Sequence, residues 1–211
     1  MKDFIKKCIN NEIKLERYQL IGIICLIIVL SGTFGWIYEF IFYYFDQGKF
    51  YYKGGNFMPW INIYATGSLM IMFLTRKVKK KPFLVFLIAF ISTGILEYIS
   101  GYVIFKMFNG LRFWDYNKEI LNFGNIGGFV CLRSVLFFGL SGLLLIYLMV
   151  PFCIWLSQKL NKRLFLIISI TLCSIILFDE FYNLIFARIL KLPRACDIYK
   201  KLGVNYMGSY K

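Results

Sequence analysis

Residues 20–44 read LIGIICLIIVLSGTFGWIYEFIFYY, an apolar stretch whose one charged residue is Glu39. About 20 apolar residues in a helix are enough to cross the hydrocarbon core of a bilayer, so this stretch is predicted to span a membrane. Further apolar stretches follow it, and they complete a set of predicted spans at about 20–44, 59–75, 83–105, 128–157 and 164–188. The sequence therefore predicts an all-α fold, a polytopic helical membrane bundle with about five transmembrane helices and six as the alternative.

The overall composition supports a membrane protein. Of the 211 residues, 59% are hydrophobic and 20% aromatic, and the mean hydropathy is +0.65. A soluble domain is closer to half apolar, so a soluble fold with a large core is disfavoured. The sequence has no GxxxxGK[ST] motif, so an ATP-driven step would require another chain that carries the ATPase.

The net charge of +14 could suggest nucleic-acid binding, but the basic residues cluster at the ends of the predicted spans. Arg76, Lys77 and the run 79–81 form one such cluster. Basic residues in these places anchor helices at anionic lipid headgroups. We therefore expect membrane lipids as partners and no nucleic acid.

Cofactor and metal sites are not indicated. The chain has no histidine, and its six cysteines show no CxxC spacing. The missing histidine excludes Ser-His triads and His-ligated zinc or haem, and scattered cysteines in apolar stretches are typical of core packing. We expect no cofactor and no metal.

The segments before and after the predicted bundle are polar or amphipathic rather than membrane-spanning. Residues 1–17 place apolar side chains at helical spacing between lysines and asparagines, which predicts an amphipathic interfacial helix. Residues 18–188 form the predicted bundle, and residues 189–211 a basic C-terminal tail. The N-terminal segment and the short basic turns at 76–82 and 158–163 would share one side, which predicts a cytoplasmic N-terminus. With five spans, the basic tail lies on the side opposite to the N-terminus, which the preference of basic residues for the cytoplasmic side disfavours.

Five ionisable residues fall inside the predicted spans: Glu39, Glu97, Arg133, Asp179 and Glu180. A charge in hydrocarbon costs at least about 2.5–3.5 kcal/mol, so each needs a partner or a watery cavity. If the spans alternate in direction, all five lie in the same half of the membrane. The arrangement predicts either a polar pocket, with Arg133 neutralising carboxylates, or a polar clasp that only fixes helix register.

Two other segments would lie on this side of the membrane. Asn62 lies near the start of the second predicted span, 59–75, and the loop sequence RFWDYN at 112–117 places Asp115 between aromatic residues, which suggests a lid or an entrance. The candidate substrate-binding or polar-pocket residues are therefore Glu39, Asn62, Glu97, Tyr98, Trp114, Asp115, Arg133, Asp179 and Glu180. Catalytic residues are not identified.

Three short motifs carry a family resemblance: GWIYE at 35–39, LEY at 96–98 and WDY at 114–116. With their order and spacing over about 32–142, the chain resembles the ABC-transporter type IV (CmpB) membrane protein family. The resemblance implies a multi-pass protein of the bacterial cytoplasmic (inner) membrane, classed as a permease.

Three functions stay open at this point. The first is a permease-like or substrate-binding component of a small-molecule transporter, working with a separate ATPase subunit or as a homo-oligomer. The second is a membrane-embedded enzyme that acts on a lipid or lipid-linked substrate, with Glu97 as general base and Arg133 holding a phosphate or carboxylate. The third is a non-catalytic assembly or regulatory protein whose polar cluster is a clasp.

Overall fold

The computed structural model describes residues 2–207, so Met1 of the predicted amphipathic segment and residues 208–211 of the predicted tail lie outside it. The described residues form seven helices and two very short strands. Their bounds are α1 Lys2–Ile9, α2 Arg17–Gln47, β1 Tyr52–Lys53, α3 Asn62–Thr75, α4 Pro82–Met107, α5 Leu132–Lys159, α6 Lys162–Ile189, α7 Ala195–Lys201 and β2 Tyr206–Met207.

Helices α2, α4, α5 and α6 are each long and apolar enough to cross a membrane, and α3 is a shorter apolar helix of 14 residues. The predicted all-α membrane bundle is thus confirmed. Local sequence explains where several helices begin or end. Gly48 ends α2 with a φ of 70°, a left-handed conformation that favours glycine, and Pro82 occupies the first turn of α4, where its missing N–H costs nothing.

Helix α5 begins at Leu132, a few residues after the predicted start of about 128. Gly127 and Gly128 directly before it adopt φ values of 62° and 80°, which a right-handed helix cannot include. These glycines keep the end of the 108–131 loop outside the helix, and the loop is therefore able to fold back over the bundle.

Helix α2 is central to the bundle, since it packs against α3, α5 and α6, while α4 packs against α3 and α5. Glycines on α2 allow these close approaches. A Cβ at Gly22 would meet the Phe165 ring of α6, and one at Gly35 would overlap the Tyr64 ring of α3. Small residues at helix contacts are typical of membrane bundles.

The bundle has two distinct ends. The turn end carries α1 and the tight turns between α3 and α4 and between α5 and α6; there Lys79 Nζ donates a hydrogen bond to Asn11 Oδ1 at 3.2 Å. The loop end carries the loops 48–61 and 108–131. The C-terminal segment is also at the loop end, because β2 pairs in parallel with β1, with Tyr52 opposite Tyr206.

Candidate functional site

A row of side chains with alternating charge, which we call the charge chain, crosses the loop end of the bundle. Lys53, from β1, lies 2.7 Å from the Glu39 carboxylate on α2 and also donates a hydrogen bond to the Tyr43 hydroxyl. Tyr43 donates to Glu119 in the 108–131 loop, and Arg133 Nη2 on α5 lies 2.6 Å from the same carboxylate. The charge chain thus balances the carboxylates of Glu39 and Glu119 with the cations of Lys53 and Arg133, because buried charges need partners of opposite sign.

Glu97, on α4, lies beside the charge chain and is only 3% exposed. Its carboxylate accepts hydrogen bonds from the Tyr116 hydroxyl at 2.5 Å and from Ser134 Oγ at 2.7 Å. Within residues 2–207, no cation lies close enough to form an ion pair with it. Glu97 is therefore held by hydrogen bonds alone, unlike Glu39 and Glu119.

Tyr116 lies in the 108–131 loop, where it is 8% exposed. Burial, together with the nearby Glu97 carboxylate, raises the pKa of this phenol well above its usual value. A tyrosine hydroxyl is protonated at physiological pH in any case, and the raised pKa keeps it a donor to Glu97 at more alkaline pH as well. Residue 116 belongs to the WDY motif but was not among the predicted pocket residues.

A small cavity is lined by members of the charge chain together with Tyr116 and Ser134. Its volume is about 20 Å³, enough for one or two water molecules. Aromatic rings form much of its wall, and charged groups the rest. Its lining comprises Tyr38, Glu39, Phe42, Lys53, Tyr64, Trp114, Tyr116, Glu119, Arg133, Ser134, Phe137 and Phe138.

Arg133 is the cavity residue with unused hydrogen-bonding capacity. Its guanidinium carbon lies 3.8 Å from the centroid of the Phe42 ring, and Nη2 is bound to Glu119. Nε and Nη1 are buried and have no acceptor among the described residues. A buried donor without an acceptor costs about 1–3 kcal/mol, so these two N–H groups favour a bound molecule with acceptor oxygens.

Asp179 and Glu180, on α6, form a separate cluster. Asp179 accepts backbone hydrogen bonds from Phe57 at 3.0 Å and Met58 at 2.6 Å. Glu180 accepts from the side chain of Asn62 at 3.2 Å and from that of Asn56. None of the three candidate residues Asn62, Asp179 and Glu180 lines the cavity. They fasten the 48–61 loop, and that loop brings Lys53 to Glu39.

The remaining candidates occupy different positions around the site. Trp114 lines the cavity, and its Nε1 donates to the Phe129 carbonyl at 2.8 Å. Asp115 lies next to it in the chain, where it caps the short turn that carries Tyr116 and pairs with Arg112 at 3.6 Å. Tyr98 is 39% exposed and does not line the cavity. The structure thus brings Glu39, Glu97, Trp114 and Arg133 together, with Asp115 supporting them.

The sequence-based candidate set omits Tyr43, Lys53 and Glu119, as well as Tyr116 and Ser134, which also belong to the site. Lys53 and Glu119 are loop residues, and the sequence around them, YYK at 51–53 and NKE at 117–119, gives no periodic signal. The predicted role of Arg133 also needs revision, because its ion pair is with Glu119 rather than with the intramembrane acids Glu39 or Glu97.

A resident metal site is not formed by the described residues: no three Cys, Asp or Glu side chains among residues 2–207 come together to hold an ion. Hydrogen bonding and charge pairing are therefore the chemistry that the described site offers.

The fold and the site define a polytopic helical membrane protein whose buried polar groups converge in one half of the bundle. A family model described as "Putative ABC-transporter type IV" matches residues 13–184, most of the chain. The chain belongs to this family, which confirms the resemblance seen in the sequence motifs, and it is a membrane protein related to transport. No curated protein and no solved structure matches it.

Proposed function

We propose that this chain is the permease-like, substrate-binding component of a small-molecule transporter, and that it works with a separate ATPase subunit. The family supports a role in transport, and the chain lacks a phosphate-binding loop of its own. The cavity lined by Glu39 and Arg133, with Glu97 bonded to its wall residues Tyr116 and Ser134, is the binding site in this proposal. Its substrate is a small polar solute rather than a nucleic acid or a protein.

The observation that carries the proposal is the pair of buried Arg133 N–H groups without an acceptor in the described residues. Arg133 lines the cavity, and a solute with carboxylate, phosphate or carbonyl oxygens would accept hydrogen bonds from it. Because Nε and Nη1 lie on different edges of the guanidinium, each of them needs an acceptor oxygen of its own. The Glu39–Lys53 and Glu119–Arg133 pairs fix the charges around the solute.

The proposal includes an orientation. We place the chain in the bacterial cytoplasmic membrane, with the turn end in the cytoplasm and the cavity in the outer half. The basic turns and the N-terminal segment support this, because the first span usually dominates orientation. An ATPase would dock at the turn end, and the solute would enter from the loop end.

The test is affinity purification of the tagged chain in native nanodiscs, followed by mass spectrometry of proteins, lipids and small molecules. The variant Glu119→Gln with Arg133→Gln removes the pair without leaving an unpaired charge. Its matched control, Arg194→Gln with Asp197→Asn, removes a pair at 3.4 Å that is exposed. We expect a stoichiometric ATPase with all three proteins. A small polar solute should be retained by wild type and control and lost in the cavity variant.

Recovery of neither an ATPase nor a solute would overturn the proposal. One feature favours a second function for that case: the cavity lies under the 108–131 loop, near the end of the bundle where lipid headgroups are found. A defined lipid retained by wild type and lost in the cavity variant would indicate a membrane-embedded enzyme acting on a lipid or lipid-linked substrate. A third result, retention of nothing and loss of stability alone, would indicate an assembly protein.

A further inference from the structure

A second, smaller cavity lies deeper in the bundle, next to the first, and its volume of about 10 Å³ is enough for about one water molecule or one hydroxyl group. It is lined by three serines from three different helices: Ser31 on α2, Ser68 on α3 and Ser141 on α5. Ser31 and Ser68 lie close to the midpoints of their helices, so this inner cavity is near the middle of the membrane. The two cavities share two lining residues, Tyr64 and Phe138.

The hydroxyl of Ser31 is unusual among the buried hydroxyls. It is 3% exposed and has no hydrogen-bond partner in the described part of the chain. Other buried hydroxyls in the spans donate to a carbonyl of their own helix, as Thr75, Thr93 and Ser169 do at 2.7 Å. Since an unsatisfied buried hydroxyl is unfavourable, the Ser31 hydroxyl favours a hydrogen-bonding group in the inner cavity, either a water molecule or a hydroxyl of a solute.

Tyr64 and Phe138 form the partition between the two cavities. Their rings are stacked, with centroids 5.0 Å apart and planes 25° apart. Neither ring is fixed by a covalent or ionic link, and the Tyr64 hydroxyl is held by one hydrogen bond to Glu39 at 2.9 Å. Separating these two rings would therefore break no ion pair.

The inner cavity also touches an irregular part of α5. Leu145 and Met149 line it, and they are the first and last residues of a π-helical segment inside α5. Pro151, two residues further on, cannot donate a helical hydrogen bond. Such π-helical segments are frequent at functional sites, and this one gives the cavity wall a place where the helix can rearrange.

From these features we propose that the inner cavity is a second subsite of the solute path, reached from the outer cavity through a gate formed by Tyr64 and Phe138. This inference rests on the proposed function and extends it. No Asp, Glu, Lys or Arg is among the residues that the structure places around the inner cavity. The group that enters it is therefore uncharged and hydrogen-bonding, such as a hydroxyl or amide of the solute.

The test measures access to the inner cavity with 2-hydroxyethyl methanethiosulfonate, a neutral thiol reagent that carries a hydroxyl. The purified full chain carries Ser68→Cys, with Phe138 either native or replaced by Ala. Ser169→Cys is the matched control, because Ser169 is buried in α6 and lines neither cavity. Site-resolved mass spectrometry follows labelling at each position, with the buried native Cys153 as an internal reference.

We expect Phe138→Ala to accelerate labelling at position 68 about tenfold, which corresponds to lowering the opening barrier by about 1.4 kcal/mol. Labelling at positions 169 and 153 should not change. Phe138→Leu, a milder change, should give a smaller acceleration at position 68 and keeps the test valid if the alanine variant does not fold.

Two results would contradict the proposed gate. One is no acceleration at position 68 in either Phe138 variant, and the other is equal acceleration at position 169, which would mean general loosening. These failures differ from failure of the proposed function. If the purified chain still retains a solute that depends on the Glu119–Arg133 pair, the outer site stands and only the inner subsite is lost.

Discussion

At the scale of single residues, the Glu119–Arg133 pair shows how a loop completes a membrane site. The Glu119 carboxylate is 3% exposed and the Arg133 side chain 12%. The arginine comes from the second residue of α5, whereas the glutamate comes from a loop that folds back over the bundle. Each charge is tolerated in its buried position because the other is present.

Removing one member of this pair should be far more damaging than removing both. Arg133→Gln leaves the Glu119 carboxylate buried without its cation, and we expect a loss of about 3–5 kcal/mol in the free energy of unfolding. Glu119→Gln added to it should recover most of that loss. Chemical unfolding of the purified protein in detergent measures both values.

The control for this prediction is Arg194→Gln at the exposed pair with Asp197, where the two side chains are 38% and 44% exposed. An exposed pair contributes about 0–1 kcal/mol, so this control should be nearly neutral. Equal losses in Arg133→Gln and Arg194→Gln would contradict the buried ion pair described for the cavity.

At the scale of helices, the outer cavity depends on how closely α2 approaches α3. Gly32 and Gly35 lie one turn apart on α2, and they face the rings of Trp60 and Tyr64. Trp60 precedes α3 and donates its Nε1 hydrogen to the Ile28 carbonyl at 2.8 Å. These contacts set the position of Tyr64, and its hydroxyl reaches Glu39 because the rings rest directly on glycine.

Gly35→Ala should therefore disturb both stability and the site. The new methyl group would overlap the Tyr64 ring, and overpacking of this kind costs about 1–3 kcal/mol. We expect the thermal midpoint to fall and, in the purification experiment, solute retention to weaken because Tyr64 is displaced from Glu39.

The matched control is Gly55→Ala in the 48–61 loop, where an added Cβ meets nothing within 4 Å. A change at such a position is expected to stay within about 0.5 kcal/mol of wild type. An alanine at position 35 that behaves like the one at position 55 would show that α2 and α3 do not pack as closely as described.

At the scale of the whole molecule, the pairing of β1 with β2 assigns the C-terminal segment to the loop end. The basic tail thus lies opposite to α1, in conflict with a simple distribution of positive charge. Part of that charge is neutralised locally, since Arg194 pairs with Asp197. The last apolar helix, α6, crosses the bundle fully rather than turning back.

This arrangement predicts the outcome of cysteine labelling from one side of the membrane. Lys49→Cys and Lys200→Cys should react together with a membrane-impermeant maleimide, and Lys80→Cys should react only when the other side is exposed. All three positions are exposed on the described structure. In the proposed orientation, positions 49 and 200 are labelled in intact cells.

The native cysteines need to be distinguished in this experiment, and site-resolved mass spectrometry does so. Labelling of position 200 together with position 80 would contradict the pairing of β1 with β2. Labelling of position 80 in intact cells, with 49 and 200 protected, would keep the topology and reverse the proposed orientation.

The sequence predicts the helical bundle well because apolar length alone decides whether a segment spans a membrane. The convergence of Glu39, Glu97 and Arg133 follows from counting spans, which requires no knowledge of side-chain contacts. Counting also places Asp179 and Glu180 in the same half of the bundle, but it cannot show what they contact. Their hydrogen bonds hold a loop, and neither residue lines the cavity.

Loop residues could not be placed from the sequence for a physical reason. Lys53 and Glu119 reach the site because irregular backbone folds back onto the helices, and such folding has no periodic signal. The β1–β2 pair has two residues in each strand, too few for an alternating pattern to be recognised. From the sequence alone, the only carboxylates predicted to lie near Arg133 are those inside the spans. A partner in a loop, such as Glu119, is therefore not predicted.

The β1–β2 pair has a consequence for how the protein is made. Tyr52 leaves the ribosome long before Tyr206, its partner; at about 5–20 residues per second the interval is roughly 10–30 s. During that time the spans can enter the bilayer, but the segment that carries Lys53 lacks the strand that borders it. The cavity that Lys53 lines is therefore completed only after β2 has been synthesised, and under the proposed function a nascent chain that stops before β2 would not retain solute.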